Sequence, residues 1–236
     1  MGEIGPTNVV VTLNGLVRSF DRTGVKGPLD TSLDEFFASQ IGNDNTADPQ
    51  VRYDRLTQRW FITAMTINNP NKILIAVSDG PTISATTIFR FFNFVSDVPN
   101  PSAAFIGGFA DYPTTGVDAN GLYIGCNVFA PDFSFIGPVI YVVRKSSLLG
   151  PLNVPIRVAA FRNLANVNNR LVTTPRGVHN DEFAPPNGYV IAAVQTYRDL
   201  ALYRIQNADT NFPTLDDPDA VVVPPFARPQ TFAVLG

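Results

Sequence analysis

The sequence predicts an all-β protein, and three observations support that prediction. The 236 residues include 20 prolines and 17 glycines, which favour many turns over long helices. Residues 48–94 hold three or four β-type runs, each closed by a cluster of Gly, Pro, Asn or Asp, as in an antiparallel meander. Two other parts of the chain resemble this meander, so the unit recurs along the sequence.

The N-terminal part is predicted to begin with a hairpin. Residues 8–21 hold two apolar runs separated by Asn14-Gly15, a pair typical of a type I′ turn. Residues 31–37 then predict one or two helical turns, with Thr31 or Ser32 as the N-cap. The central meander follows these turns.

A repeated turn sets the period of the chain. Asp54, Asp118 and Asp181 each precede a turn and a strand, at spacings of 64 and 63 residues. Irregular periods of about 40–65 residues with several strands each favour a β-propeller, whose blades are four-stranded antiparallel sheets. The alternative is a β-sandwich, whose strands have similar spacing but need not repeat as units.

We expect a single domain over residues 1–236. The expected units are residues 4–47, 48–104, 105–153 and 154–210, followed by tail strands or a partial blade at 211–236. This gives about four or five blades. Because an open arc would leave sheet edges unpaired, we expect either a small closed propeller or a ring completed by another segment or subunit.

Composition argues against several classes of function. The net charge is −3 with both signs scattered, which disfavours nucleic-acid binding, and no apolar run reaches the ~20 residues of a membrane helix. One cysteine, Cys126, excludes an intrachain disulfide and is predicted to be buried. With the single His179 it leaves too few ligands for a structural zinc site. The N-terminus lacks the apolar segment of a secretory signal.

Three segments resemble a broad group of β-propeller proteins that are mostly bacterial and extracellular. They are DPQVRYD…RW at residues 48–60, AVS at 76–78 and DYP…GV…GLY…NVF at 111–129. The resemblance covers residues 4–150 well and 151–236 more loosely. It implies a secreted or cell-surface propeller, often attached to adhesion or carbohydrate-associated modules. Such proteins usually continue past a VPPF segment, whereas this chain ends ten residues after it.

Five aspartates are the candidate chemistry: Asp48, Asp54, Asp111, Asp118 and Asp181. Ca²⁺ takes six to eight oxygen ligands, so several carboxylates would have to converge with loop carbonyls to bind it. The candidate Ca²⁺ ligands are Asp48, Asp54, Asp118 and Asp181. Alternatively, each aspartate accepts backbone N–H bonds in a turn, which recurrence at one place in every unit favours.

A hydrolase is one alternative to a binding protein. Two carboxylates at a set separation can carry out glycoside hydrolysis, and the weak candidates are Asp48, Asp54, Asp111 and Asp181. His179 would have to serve any Ser–His–Asp site, but no nucleophile-elbow motif accompanies it. Sialidase-like propellers use three convergent arginines and a tyrosine nucleophile, and no spacing here marks such a triad.

A binding or structural module without catalytic activity is the favoured function. The Arg59-Trp60 pair offers either a sugar-stacking platform or, because Trp60 lies mid-strand, part of the core. The candidate ligand-binding residues are Arg59, Trp60, Asp111, Tyr112, Asn127 and His179. The expected partner is a glycan, a protein or a neighbouring subunit that completes the ring, and Ca²⁺ is the one cofactor considered.

Overall fold

The computed structural model describes residues 1–151, 154–194 and 199–224. They form four separate antiparallel sheets, each built from consecutive strands in chain order. This confirms the all-β class and the recurrence of four-stranded units. A β-sandwich has two sheets, whereas the described residues form four. The end of the predicted tail, from residue 225 onward, lies outside the described residues.

The first sheet contains the predicted hairpin. Its strands are β1 (Gly2–Ile4), β2 (Asn8–Leu13), β3 (Leu16–Asp21) and β4 (Lys26–Thr31). Strands β2 and β3 pair around Asn14-Gly15, but only Gly15 has a positive φ, of 84°, so the type I′ turn was wrong.

Two short helices connect the first sheet to the second. They are α1 (Leu33–Phe36) and α2 (Ala38–Ile41). Ser32 caps α1 as predicted, because its hydroxyl accepts the Glu35 N–H at 3.1 Å.

The second and third sheets are four-stranded meanders. The second contains β5 (Thr46–Asp54), β6 (Arg59–Thr66), β7 (Lys72–Ser78) and β8 (Phe89–Val95); the third contains β9 (Phe109–Val117), β10 (Gly121–Phe129), β11 (Phe135–Arg144) and β12 (Val158–Arg162). A 3-10 turn (Ala103–Phe105) precedes β9, and the KSSLL segment after β11 forms helix α3 (Lys145–Leu149). Because β12 returns to pair with β11, the predicted boundary between residues 153 and 154 was wrong.

The fourth sheet extends into the predicted tail. Its strands are β13 (Thr173–Gly177), β14 (Gly188–Ala193), β15 (Asp199–Gln206), β16 (Thr214–Leu215) and β17 (Asp219–Val222). Strands β16 and β17 pair with different ends of β15, so together they occupy the place of a fourth strand. The tail residues up to 222 therefore belong to this sheet and form no separate blade.

Adjacent sheets pack face to face through three hydrophobic clusters. Trp60 is fully buried between sheets 1 and 2, Tyr141 between sheets 2 and 3, and Tyr203 between sheets 3 and 4. Alternate residues of a strand point to opposite faces, so one sheet can pack against two neighbours. None of these clusters of described residues joins sheet 4 back to sheet 1.

The first strand of each sheet lies beside the first strand of the next sheet. We call β1, β5, β9 and β13 the inner strands. Their ends bring residues from distant parts of the sequence together, and all the polar clusters described below lie at these ends. No helix in the described part of the chain is long and apolar enough to cross a membrane.

Candidate functional site

The same irregularity occurs near the start of three inner strands. The register of pairing with the following strand shifts there, as in a β-bulge. Each bulge contains a residue of positive φ followed by a proline: Asp48-Pro49, Tyr112-Pro113 and Thr174-Pro175. The φ angles of Asp48, Tyr112 and Thr174 are 51°, 54° and 50°. An L-residue in this conformation costs roughly 1–2 kcal/mol. Such strain persists only where the surrounding structure enforces it, and it gathers at functional sites.

These strained residues join a set of polar side chains, which we call the bulge cluster. Its members are Asn14, Asp48, Asp111, Tyr112, Asn127 and Thr174. The first contact joins sheets 1 and 2: the Asp48 N–H donates to Asn14 Oδ1 at 2.7 Å, and Asn14 Nδ2 donates to Asp48 Oδ1 at 3.4 Å. The second joins sheets 2 and 3, because the Asp48 carboxyl is close enough to that of Asp111 to raise its pKa.

The bulge cluster continues from sheet 3 into sheet 4. Asp111 is paired directly with Asn127 across β9 and β10, so their side chains lie on the same face of the sheet. Asn127 Oδ1 accepts the Thr174 N–H at 2.8 Å, and Asn127 Nδ2 donates to Thr174 Oγ1 at 3.3 Å. The polar cluster therefore spans all four sheets at one end of the inner strands.

Two like charges meet in the bulge cluster. Burial raises the pKa of the Asp111 carboxyl, and the neighbouring Asp48 carboxylate raises that pKa further. Beside this pair, Tyr112 leaves 42% of its surface exposed. The cluster thus offers carboxylate oxygens, amide groups and one aromatic ring to a ligand at the protein surface.

The opposite end of the inner strands holds a buried ion pair. Lys145 Nζ lies 2.6 Å from Asp54 Oδ2, and the two side chains are only 3% and 1% exposed. The same ammonium donates to the backbone carbonyl of Asp118 at 2.6 Å. Lys145 therefore joins the turn of sheet 2 to the turn of sheet 3.

The turn role predicted for the five aspartates is confirmed for Asp54 and Asp118. Asp54 Oδ1 accepts the Leu56 N–H at 3.1 Å, and Asp118 Oδ1 accepts the Asn120 N–H at 2.7 Å. In sheet 4 the equivalent acceptor is Asn180, which receives the Glu182 N–H at 3.0 Å. The repeat assignment of Asp181 was therefore wrong by one residue.

A calcium site built from Asp48, Asp54, Asp118 and Asp181 is not formed. Asp48 lies in the bulge cluster, Asp54 is bound to Lys145, and Asp118 caps its own turn. Asp181 Oδ2 lies 3.4 Å from Arg55 Nη1. Across the described residues, no three His, Cys, Asp or Glu side chains are grouped in a way that could hold a metal ion.

His179 does not belong to a Ser–His–Asp site in the described part of the chain. Its Nε2 lies 3.2 Å from Asp181 Oδ1, while its buried Nδ1 has no hydrogen-bond partner there. Cys126, the one thiol, is buried between sheets 2 and 3, where burial raises its pKa and keeps it protonated. His179 also lies apart from the bulge cluster, so the structure does not place it with the other candidate ligand-binding residues.

The sugar-stacking platform at Arg59-Trp60 was wrong. Trp60 has no exposed surface, and its indole N–H donates to the Pro81 carbonyl at 2.8 Å. The Arg59 guanidinium donates to the Ser78 carbonyl at 3.0 Å. Trp60 therefore belongs to the core, which was the alternative interpretation of this pair.

The carboxylate geometry does not suit glycoside hydrolysis. Retaining and inverting enzymes hold their two carboxyl groups about 5–9.5 Å apart to make room for a substrate or a water. Asp48 and Asp111 instead interact with each other strongly enough to raise the pKa of Asp111, and Asp54 is occupied by a buried ammonium. Asp181 interacts with Arg55 and His179 at the other end of the inner strands.

Sequence reasoning identified Asp48, Asp111, Tyr112 and Asn127 but missed Asn14 and Thr174 as members of the same cluster. A usable signal was present, because the prolines of the three bulges recur at spacings of 64 and 62 residues. Neither family models, curated proteins nor solved structures give a match to this chain. The function is therefore inferred from the geometry of the site.

Proposed function

We propose that this protein is a non-catalytic binding module that recognises a neutral glycan at the bulge cluster. The single observation behind this proposal is the polar cluster that crosses all four sheets beside the exposed ring of Tyr112. The strain of three equivalent bulges supports it, since strained backbone is kept where it serves a function. In keeping with the sequence resemblance, the proposed place of action is outside the cell or at its surface.

The chemistry of the cluster favours a neutral sugar over other ligands. Carboxylate oxygens accept hydrogen bonds from hydroxyl groups, while the amides of Asn14 and Asn127 can both donate and accept. The ring of Tyr112 supplies an apolar face for the C–H groups of a sugar. An anionic ligand is disfavoured because Asp48 and Asp111 would repel it.

Replacing Tyr112 with alanine should weaken glycan binding at least tenfold and leave folding intact. Tyr112 is 42% exposed and belongs to no hydrophobic cluster of the described residues, so its loss removes ligand contact but little core packing. The measurement is binding to a glycan array, followed by calorimetric titration of the best ligand with wild type and Tyr112→Ala.

A matched control for this variant is Phe133→Ala. Phe133 is 86% exposed and has a φ of 64°, so it shares the aromatic ring and the backbone conformation of Tyr112 but lies outside the bulge cluster. We expect this control to bind like wild type. Equal binding by all three proteins, or an array without any glycan ligand, would overturn the proposal.

We further propose that the four sheets are consecutive blades of a β-propeller. An equivalent aromatic residue in three sheets supports this. In each of these sheets, the residue two positions after the bulge proline pairs with a residue of the following strand. Phe61, Tyr123 and Tyr189 each stand immediately before that partner. Phe61 and Tyr123 are fully buried in the interface with the next sheet.

Tyr189 occupies the same position in the last described sheet. It lies with Ile191 and Leu202 on the face of sheet 4 opposite to sheet 3, because their strand neighbours pack into the cluster between those sheets. The outward face of sheet 1 also presents apolar side chains, with Ile4 and Leu13 more than half exposed, beside the Arg18–Asp30 ion pair. Each interface between adjacent sheets of this chain joins apolar side chains from two facing sheets. We therefore propose that the outward face of sheet 4 packs against the outward face of sheet 1 in a second copy.

Two copies joined in this way would form a ring of eight blades, which is within the usual range of four to eight. We expect light scattering after size-exclusion chromatography to give twice the chain mass of 25.6 kDa. Tyr189→Asp should give a monomer, because it places a charge in the apolar interface, whereas Phe183→Asp, at a residue 87% exposed, should remain dimeric. A monomeric wild type, or a dimer that Tyr189→Asp leaves intact, would contradict this arrangement.

A further inference from the structure

A second site lies at the end of the inner strands opposite to the bulge cluster. A cavity of about 690 Å³ opens between the start of sheet 1 and the first turn of sheet 2. Its lining includes Arg22, from the turn after β3, and Arg55, from the turn after β5. The carboxylate of Glu3 also lines it, so the charged side chains of the cavity sum to one positive charge in a protein whose net charge is −3.

Both arginines keep donors available in this cavity. Arg22 donates from Nη1 to the Gly5 carbonyl at 2.9 Å, which uses one of its five N–H groups. Arg55 is bound only loosely, at 3.4 Å from Asp181, and its side chain is 72% exposed. The remaining N–H groups of a guanidinium form a planar fork that matches the oxygens of a carboxylate or a phosphate.

Tyr53, another lining residue of the cavity, carries an unsatisfied buried donor. Only 5% of the residue is exposed, and its hydroxyl has no hydrogen-bond partner among the described residues. A buried polar group without a partner costs about 1–3 kcal/mol, so native proteins rarely keep one without a reason. Burial, followed by the neighbouring Asp54, raises the pKa of Tyr53, so the hydroxyl stays protonated and able to donate.

We propose that this cavity is a binding site for an oxyanion, held by the guanidinium groups of Arg22 and Arg55 and by the Tyr53 hydroxyl. The ligand is a small molecule that carries a carboxylate or a phosphate group. This site is separate from the bulge cluster, whose two carboxylates repel such a ligand. A single protein would then recognise a neutral sugar at one end of its inner strands and an anion at the other.

The test of this site is the melting temperature of the protein, measured with increasing inorganic phosphate and, separately, with increasing acetate. Chloride is added to keep the ionic strength constant in both series. We expect a saturable rise in melting temperature with at least one of the two anions. A response to phosphate alone would identify a phosphorylated ligand, and a response to acetate alone would identify a carboxylated one. No saturable response to either anion would overturn the proposal.

Three cavity variants and one control variant distinguish binding in the cavity from general screening of charge. Arg22→Met and Arg55→Met should each weaken anion binding about tenfold, and Arg170→Met, at an exposed arginine outside the cavity, should bind like wild type. Tyr53→Phe removes a hydroxyl that has no partner within the described part of the chain, so it should fold at least as stably as wild type while binding the anion several-fold more weakly. Unchanged binding in Tyr53→Phe and Arg22→Met would show that the cavity is not the site.

Discussion

Lys145→Met should destabilise the protein by about 3–5 kcal/mol, because it breaks a buried ion pair. The substitution removes the ammonium that lies 2.6 Å from Asp54 and leaves that carboxylate buried with 1% of its surface exposed. It also removes the donor to the Asp118 carbonyl, and so separates the turns of sheets 2 and 3. Chemical denaturation at neutral pH, with the free energy of unfolding extrapolated to water, measures this loss.

The matched control is Lys26→Met, at a lysine that also forms an ion pair with an aspartate. The distance from Lys26 to Asp30 is 2.8 Å, close to that of the buried pair, but the Lys26 side chain is 60% exposed. Solvent screens an exposed ion pair, which therefore contributes little to stability, so the control should unfold almost like wild type. If Lys145→Met also unfolded within about 1 kcal/mol of wild type, the buried pair would not be what joins the two turns.

Gly125→Ala should cost about 3 kcal/mol or more, because sheets 3 and 4 meet there backbone to backbone. A Cβ at residue 125 would lie 2.0 Å from the carbonyl oxygen of Pro175. That carbonyl is fixed on its other side by Thr114, whose hydroxyl donates to it at 2.5 Å. Overpacking against a flexible side chain costs about 1–3 kcal/mol, and here the main chain itself must move.

The loss should appear as a fall in melting temperature of about 6–12 °C, since 1 kcal/mol corresponds to about 2–4 °C in a chain of this length. Gly80→Ala is the control, because a Cβ at that residue meets no atom within 4 Å. We expect it to melt close to wild type. Equal melting temperatures for both variants would mean that sheets 3 and 4 are not packed as closely as described.

The local features of the fold were predictable from the sequence. Turn residues and β-type runs marked the strands of the first three sheets, and the capping residue of α1 was identified, because capping and turn chemistry depend on neighbours in sequence. Boundaries between units were less predictable. Helix α3 separates β12 from the other strands of the third sheet in the sequence. The sequence therefore predicted that a new unit begins after this helix, whereas the chain returns there to complete the third sheet.

The bulge cluster was predictable only in part. Asp48, Asp111, Tyr112 and Asn127 were among the candidates, yet their convergence depends on how four sheets stack, which no local pattern encodes. Asn14 was identified as a turn residue, and its contact with Asp48, 34 residues away, follows from packing between sheets. The ion pair of Asp54 with Lys145 was missed for the same reason.

The charges of the bulge cluster affect the stability of the protein as well as its affinity for a ligand. The raised pKa of Asp111 means that its protonated form stabilises the folded state; this contribution is complete below the unfolded pKa of about 3.9 and is lost as the pH rises through the folded pKa. At neutral pH the two carboxylates therefore oppose folding. This cost to stability is in keeping with a role in binding.

The most direct test is to measure stability and glycan affinity together for Asp111→Asn at pH 7. Removing one charge should raise the free energy of unfolding by an amount on the order of 1 kcal/mol or less after solvent screening, and should weaken glycan binding at least tenfold. Asp217→Asn, at an exposed aspartate outside the cluster, should change neither quantity. A less stable Asp111→Asn protein with unchanged affinity would contradict the account, because Asp111 would then support the fold and not the ligand.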